Sequence, residues 1–97
     1  MNQYEPYYAV QGTAADTYAT ITFSKLSKGV DISIFNYAIL ASASYTTDTS
    51  EFEEDFELGV GVHQLPLCCR LFRLRNKTPG QNALYSVTGY VMISDYA

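Results

Sequence analysis

Six carboxylates fall within ten residues of the stretch DTSEFEEDFE, residues 48–57. A hard cation such as Ca²⁺ takes about six to eight oxygen ligands. Four side chains of the stretch could contribute oxygens: Asp48, Glu51, Glu53 and Asp55. The stretch lacks the DxDxDG loop that turns such ligands inwards. We therefore expect an acidic face that is solvated, paired within a hairpin or turned towards a partner, with no metal and no other cofactor.

His63, Cys68 and Cys69 are the other side chains with chemical potential. A Cys–His nucleophile pair needs a third, orienting group and a cleft, and no flanking signature accompanies these residues. We expect His63 to lie in a turn exposed to water. Neighbouring side chains of a strand point to opposite faces, so the two cysteines should stay reduced and unbridged. The sequence therefore predicts a protein that is not an enzyme.

The acidic stretch leads into a pattern that is typical of a β-strand. In residues 51–62 every even position is apolar except Glu54, which fits a period of two. Residues 67–77 hold four of the six basic side chains, and residues 63–66 between the two segments have the length of a hairpin connection. We predict one hairpin whose acidic and basic arms neutralise each other, with Glu54 opposite Arg75.

Strand patterns also fill the rest of the chain. The chain contains nine Tyr and five Phe, which pack well on a pleated surface. Residues 17–23 and 83–94 alternate with period two, and Gly89 should mark a bulge or a close backbone approach. A turn at residues 28–29 follows the first segment, and Pro-Gly within residues 76–82 predicts a loop.

Residues 30–45 are open to three interpretations. Their apolar positions change parity near Ile34 and Phe35. This change predicts either a bulge or two strands joined by a tight bend. A helix beginning at Asp31 is the competing interpretation, although β-branched residues, Ser and Asn are unfavourable within helices.

The length of 97 residues is that of a single domain, residues 1–97, in which residues 1–10 could form an extended N-terminal arm. Six to seven short strands predict an all-β fold, a small antiparallel β-sandwich or barrel. No apolar run approaches the roughly 18 residues that cross a bilayer, so we expect no membrane contact. The formal net charge of −4 argues against direct binding of nucleic acid.

Tyrosine combines a large apolar area with a polar tip and is common at protein interfaces. Tyrosines cluster near both ends of the chain, and part of the acidic stretch extends beyond the predicted hairpin pairing. We therefore take these side chains as candidates for an interface with other proteins: Tyr4, Tyr7, Tyr8, Glu51, Glu53, Asp55, Tyr90 and Tyr96.

In size, composition and expected fold, the whole chain is similar to the small decoration or cement proteins of tailed-phage capsids. This resemblance implies a structural, non-catalytic protein of the virion, made in the host cytoplasm, that binds capsid subunits and itself as a homo-oligomer. Residues 1–10 could then add a strand to a neighbour. The alternative is a small, cytoplasmic, acidic inhibitor or adaptor that docks residues 48–57 on a basic partner surface.

Overall fold

The computed structural model describes residues 4–92, in which β-strands are the only regular elements. The strands are β1 (Tyr4–Thr13), β2 (Ala19–Ser27), β3 (Gly29–Ile34), β4 (Ile39–Ser44), β5 (Phe56–Leu58), β6 (Gly61–Leu65), β7 (Cys69–Asn76) and β8 (Leu84–Met92). The expectation of six to seven strands was too low, because the one long acidic strand expected over 51–62 is divided between β5 and β6. Within the described residues no helix has the length and hydropathy needed to span a membrane.

The eight strands form two antiparallel four-stranded sheets. The first sheet has the order β1-β8-β3-β6, and the second has the order β2-β7-β4-β5. Each strand in the first half of the chain pairs with its mirror counterpart in the second half, from β1 with β8 to β4 with β5. This is the strand order of a jelly roll. The prediction of an all-β fold of antiparallel sheets, compatible with a small sandwich, is confirmed.

Alternate side chains of each sheet meet in one hydrophobic core. The alternation predicted for residues 17–23 is confirmed, and that for 83–94 is confirmed as far as Val91, because the large apolar members of one parity are buried; Ile93 and Ser94 lie outside the described residues. The fully buried large side chains are Phe23, Val30, Ile32, Ile34, Ile39, Phe72, Leu74, Val87 and Val91. Burying such side chains stabilises the fold by about 1.5–3 kcal/mol each.

Residues 30–45 form two strands in different sheets, so the helix interpretation is wrong. β3 ends at Ile34 and β4 begins at Ile39, where the change of parity predicted a bend. Asn36 fastens this corner: its Oδ1 accepts hydrogen bonds from the backbone N–H of Tyr37 and of Leu84, at 2.9 and 2.8 Å. The side chain therefore takes over donors that the end of a strand would otherwise leave unpaired.

At residues 28–29, where the sequence predicted a turn, a break between β2 and β3 carries the chain from the second sheet to the first. Ser27 is fully buried, and its hydroxyl donates to the carbonyl of Gly29 at 2.7 Å and accepts from the N–H of Tyr90 at 3.2 Å. The predicted break is correct in position, but β2 and β3 do not pair. The break is a crossing between sheets and not a hairpin turn.

Gly89 lies where β8 passes over the core, as its sequence position predicts. A Cβ atom at Gly89 would stand 2.6 Å from Cε1 of Phe23. The register of β1 against β8 shifts between Pro6 and Tyr8, directly opposite this glycine. A close approach and a bulge therefore coincide at one point of the first sheet.

The loop predicted over residues 76–82 is confirmed, and it is fastened by Asn76. This side chain is buried, and its Nδ2 donates to the Oδ1 of Asp16 at 2.9 Å and to the Oδ1 of Asn82 at 2.8 Å. The N–H of Gly80, at a φ of +82°, also donates to Asp16. The hydrogen bond from the Gly80 backbone and, to a smaller extent, that from Asn76 lower the pKa of Asp16.

The described part of the expected N-terminal arm is extended, but it pairs within its own chain. β1 runs antiparallel to β8 from Tyr4 to Thr13 and forms one edge of the first sheet. This segment is therefore part of the sandwich in the isolated protein.

Candidate interaction surfaces

The acidic and basic segments do not form the predicted hairpin. β5 pairs with β4, while residues Gly61–Leu65 form β6 and pair with β3 in the other sheet. Gly61 has a φ of +134°, which L side chains rarely adopt, and it stands where the chain changes sheets. The expected pairing of Glu54 with Arg75 is therefore wrong, because β4 lies between the two arms.

The opposite charges nevertheless meet across β4. The Asp55 carboxylate lies 3.9 Å from the guanidinium nitrogens of both Arg73 and Arg75. Lys77 directly follows β7, and its Nζ donates a hydrogen bond to Glu57 of β5 at 3.0 Å. Neutralisation of acid by base is thus partly as expected, although a third strand separates the partners.

A segment that we call the strap, residues 45–55, connects β4 to β5 and is held against the outer side of the second sheet. The guanidinium carbon of Arg73 lies 3.9 Å from the ring centre of Tyr18 and 4.2 Å from that of Phe52. Its Nε donates to the hydroxyl of buried Ser42 at 2.7 Å, and the hydroxyl of Tyr18 donates to Asp55. Cation–π contacts and charged hydrogen bonds together fasten the strap.

Three glutamates of the strap remain exposed to solvent: Glu51, Glu53 and Glu54. Asp48 instead accepts hydrogen bonds from the N–H and the hydroxyl of Ser50, and these lower its pKa. Among residues 4–92 no group of three or more His, Cys, Asp and Glu side chains could hold a metal ion. The exposed glutamates give the strap side an acidic character.

The sequence predicted that His63 lies in an exposed turn, and this prediction is wrong. It is a half-buried residue of β6, opposite Ile32, and its Nε2 is 2.8 Å from the carbonyl oxygen of Gly59. Residues 63–65 therefore belong to a strand and not to a hairpin connection. The error follows from the same incorrect pairing.

The cysteines point in opposite directions, as predicted from their adjacency. Both are free thiols, with Cys68 exposed and Cys69 buried. Burial, and to a smaller extent the neighbouring thiol, raises the pKa of Cys69 to about 12. Cys69 is therefore a small apolar side chain of the core at neutral pH.

The candidate tyrosines fall into two groups. Tyr7 and Tyr8 pack on Phe23, with ring centres 6.1 and 5.6 Å apart. Tyr4 and Tyr90 line a shallow open pocket of about 590 Å³ at one end of the first sheet. The remaining candidate, Tyr96, lies outside the described residues.

The structure also reveals a broad surface that the sequence analysis did not identify. The side chains that alternate with the buried residues of the first sheet share its outer side. We call this surface the outer face; its members are Ala9, Gln11, Thr13, Asp31, Ser33, Val62, Gln64, Leu84, Ser86, Thr88 and Tyr90. Among these described side chains Asp31 alone is charged, and its carboxylate accepts a hydrogen bond from the Tyr90 hydroxyl at 2.8 Å.

One end of the outer face is apolar. Val62 and Leu84 are 73% and 46% exposed. Phe35, 61% exposed, follows β3 directly, and its N–H donates to the carbonyl of Leu84. The polar residues of this face stood in the sequence as the off-core positions of each strand, but only the strand order brings them together.

Comparison with protein-family models, with curated proteins and with solved structures found no match to this chain. The class of protein therefore rests on the fold and the surfaces. The chain is a small jelly roll with a charged, strap-covered side and a broad outer face that is almost free of charge.

Proposed function

We propose that this chain is a structural, non-catalytic protein of the virion type, which decorates a capsid by binding capsid subunits and itself. The observation that carries the proposal is the contrast between its two broad sides. The strap side gathers the six carboxylates of residues 48–57 together with Arg73, Arg75 and Lys77. The outer face carries one charge, on Asp31. A protein that joins neighbours in an assembly needs more than one contact surface, and these two differ in chemistry.

The outer face has the character of a protein-contact surface. Interface centres are depleted in charged residues relative to the rest of a protein surface. Exposed Phe35, Val62 and Leu84 also supply apolar area at one end of the face. These features support a binding role for the face without naming its partner.

The jelly-roll topology agrees with this proposal only by analogy. Jelly rolls occur in viral capsid proteins, but also in lectins and cupins, and a fold does not determine a function. The proposal therefore depends on the surfaces, and the topology adds a rigid frame that keeps them apart.

Quantitative mass spectrometry of purified particles tests this function. The particles come from a host infected with the virus that encodes the chain. The expected result is a fixed ratio of the chain to the major shell protein, and a lower melting temperature for particles that lack the chain. Particles without the chain, or with trace amounts of it, would overturn the proposal.

The alternative function, an acidic adaptor, is favoured by the exposed carboxylates of Glu51, Glu53 and Glu54. A contact made by exposed charges weakens steeply with added salt. Binding of the purified chain to stripped particles should therefore survive high salt and the double substitution Glu51→Lys/Glu53→Lys. Loss of binding under both conditions would favour the adaptor. Deleting residues 1–10 is not a clean test, because it removes most of β1.

A further inference from the structure

We propose that a second copy of this chain covers the outer face, so that two first sheets pack face to face about a two-fold axis. The inference deepens the self-association part of the proposed function, and it is tested on the purified chain without a capsid. It assigns one partner to a surface that the described structure leaves uncovered.

Charge distribution favours a second copy. Each chain has a formal net charge of −4, so two copies repel unless their acidic segments point apart. The carboxylates of residues 48–57 lie in the strap and β5, on the second sheet. When two outer faces meet, both straps are directed away from the contact. Contacts through the strap side would instead bring like charges together.

The shape of the face also suits a second copy. The row next to the apolar end contains Ser33 and Ser86 directly opposite each other on the two central strands, flanked by Gln11 and Val62 on the edge strands. Short side chains on the central strands allow two sheets to approach to the roughly 10 Å spacing of packed sheets. In a two-fold contact the same patch faces itself, so a patch that is almost free of charge can be self-complementary.

The area is sufficient for a dimer. The sheet has four strands, and β8 is nine residues long. Since β3 and β6 are six and five residues long and β1 is ten, the mean strand length is about 7.5 residues. With about 4.8 Å between strands and about 3.3 Å per residue, the face measures roughly 19 by 25 Å, or roughly 475 Å² in projection. Accessible area exceeds projected area, and a standard interface buries roughly 800 Å² per partner. One whole sheet face is therefore comparable with a stable contact.

Asp31 does not oppose this arrangement. Its carboxylate already accepts the hydroxyl hydrogen of Tyr90, and Lys28 lines the same pocket at that end of the sheet. The carboxylate thus keeps a hydrogen-bond donor when the face is covered, and a cation stands at the border of the contact.

Sedimentation equilibrium of the purified chain, over a range of concentrations and in low and high salt, tests the proposal. The test variants are Ser86→Arg on a central strand of the face and Val62→Arg at its apolar end. The matched control is Thr22→Arg, an exposed position of β2 with the same change in charge. Circular dichroism melts confirm that each variant folds.

The expected result is a wild-type dimer of twice the 10.8 kDa chain mass that persists in high salt. Ser86→Arg and Val62→Arg should raise its dissociation constant at least about 10-fold, because each would cover a guanidinium that has no acidic partner in the contact. Thr22→Arg should leave the constant unchanged. A wild-type chain that is monomeric at every concentration would overturn the inference. If Ser86→Arg then still removed the chain from particles, the partner of the outer face would be a capsid subunit and not a second copy. Equal effects of all three variants would overturn it as well. Absence of the chain from particles would refute the proposed function alone.

Discussion

At the scale of single residues, burial decides what the potentially reactive side chains do. Cys69 has the residue type of a nucleophile, but desolvation raises the pKa of its thiol to about 12. A thiol is far less nucleophilic than a thiolate. Its neighbour Cys68 is exposed and lies outside the core.

The two cysteines should therefore differ in reactivity. An excess of a disulfide reagent at neutral pH should label Cys68 rapidly and leave Cys69 unmodified until the protein is denatured. Mass spectrometry of the labelled chain counts the modified thiols. Rapid labelling of both in the native protein would contradict the burial of Cys69.

Tyr90 provides a second test at the residue scale. Its hydroxyl donates a hydrogen bond to Asp31. This bond and, to a smaller extent, burial raise the pKa of Tyr90 above the ordinary tyrosine value of 10.0. Because the pKa of Tyr90 is higher in the folded chain than in the unfolded chain, its bond to Asp31 stabilises the fold fully at pH values below the unfolded pKa. This contribution is lost as the pH rises through the folded pKa. Ultraviolet titration should show raised pKa values for Tyr85, through burial, and for Tyr90, and Asp31→Asn should lower that of Tyr90 alone. No change in Asp31→Asn would contradict the bond.

At the scale of secondary-structure elements, local pattern was informative only where pairing did not matter. Period two located β2 and β8, because each buries one parity of its described side chains whatever its neighbours are. Pairing of residues 51–62 with 67–77 could not be deduced in this way. The charge pattern suited a direct hairpin equally well, and only the tertiary structure places β4, from elsewhere in the chain, between β5 and β7.

Gly89 is a position where one added methyl group should disturb the packing of β8 on the core. Gly89→Ala should lower the free energy of unfolding by about 1–3 kcal/mol through overpacking against Phe23. Gly59→Ala is the control, since a Cβ there meets no atom within 4 Å. Urea denaturation measures both. Combining Gly89→Ala with Phe23→Leu should cost less than the sum of the two single changes, and strict additivity would count against the contact.

The strap gives a prediction about local opening. Phe52→Ala removes one of the two rings that flank Arg73, a contact worth about 0.5–1 kcal/mol. Amide hydrogen exchange over residues 45–55 should therefore become faster, with little change in global stability. Tyr45→Ala is the control within the same segment, because Tyr45 is 65% exposed. Equal exchange in both variants would show that the ring does not fasten the strap.

At the scale of the whole molecule, the jelly roll separates two kinds of surface that are interleaved in the sequence. Ser33 and Ser86 are far apart along the chain but face each other on adjacent strands. The acidic stretch is the most conspicuous segment of the sequence, yet part of its charge is neutralised by ion pairs with Arg73, Arg75 and Lys77 of the same chain. The outer face has no such signal, since it consists of ordinary polar residues whose grouping depends on the strand order.

The central claim is that this protein contacts other proteins through the outer face. The most direct measurement is NMR relaxation by a soluble gadolinium probe, at concentrations where the chain is monomeric and where it is associated. The account predicts that Ser33, Ser86 and Thr88 lose their relaxation enhancement on association, while Thr20 and Thr22 of the second sheet keep theirs. Protection of the second sheet, with the outer face still open to the probe, would contradict the account.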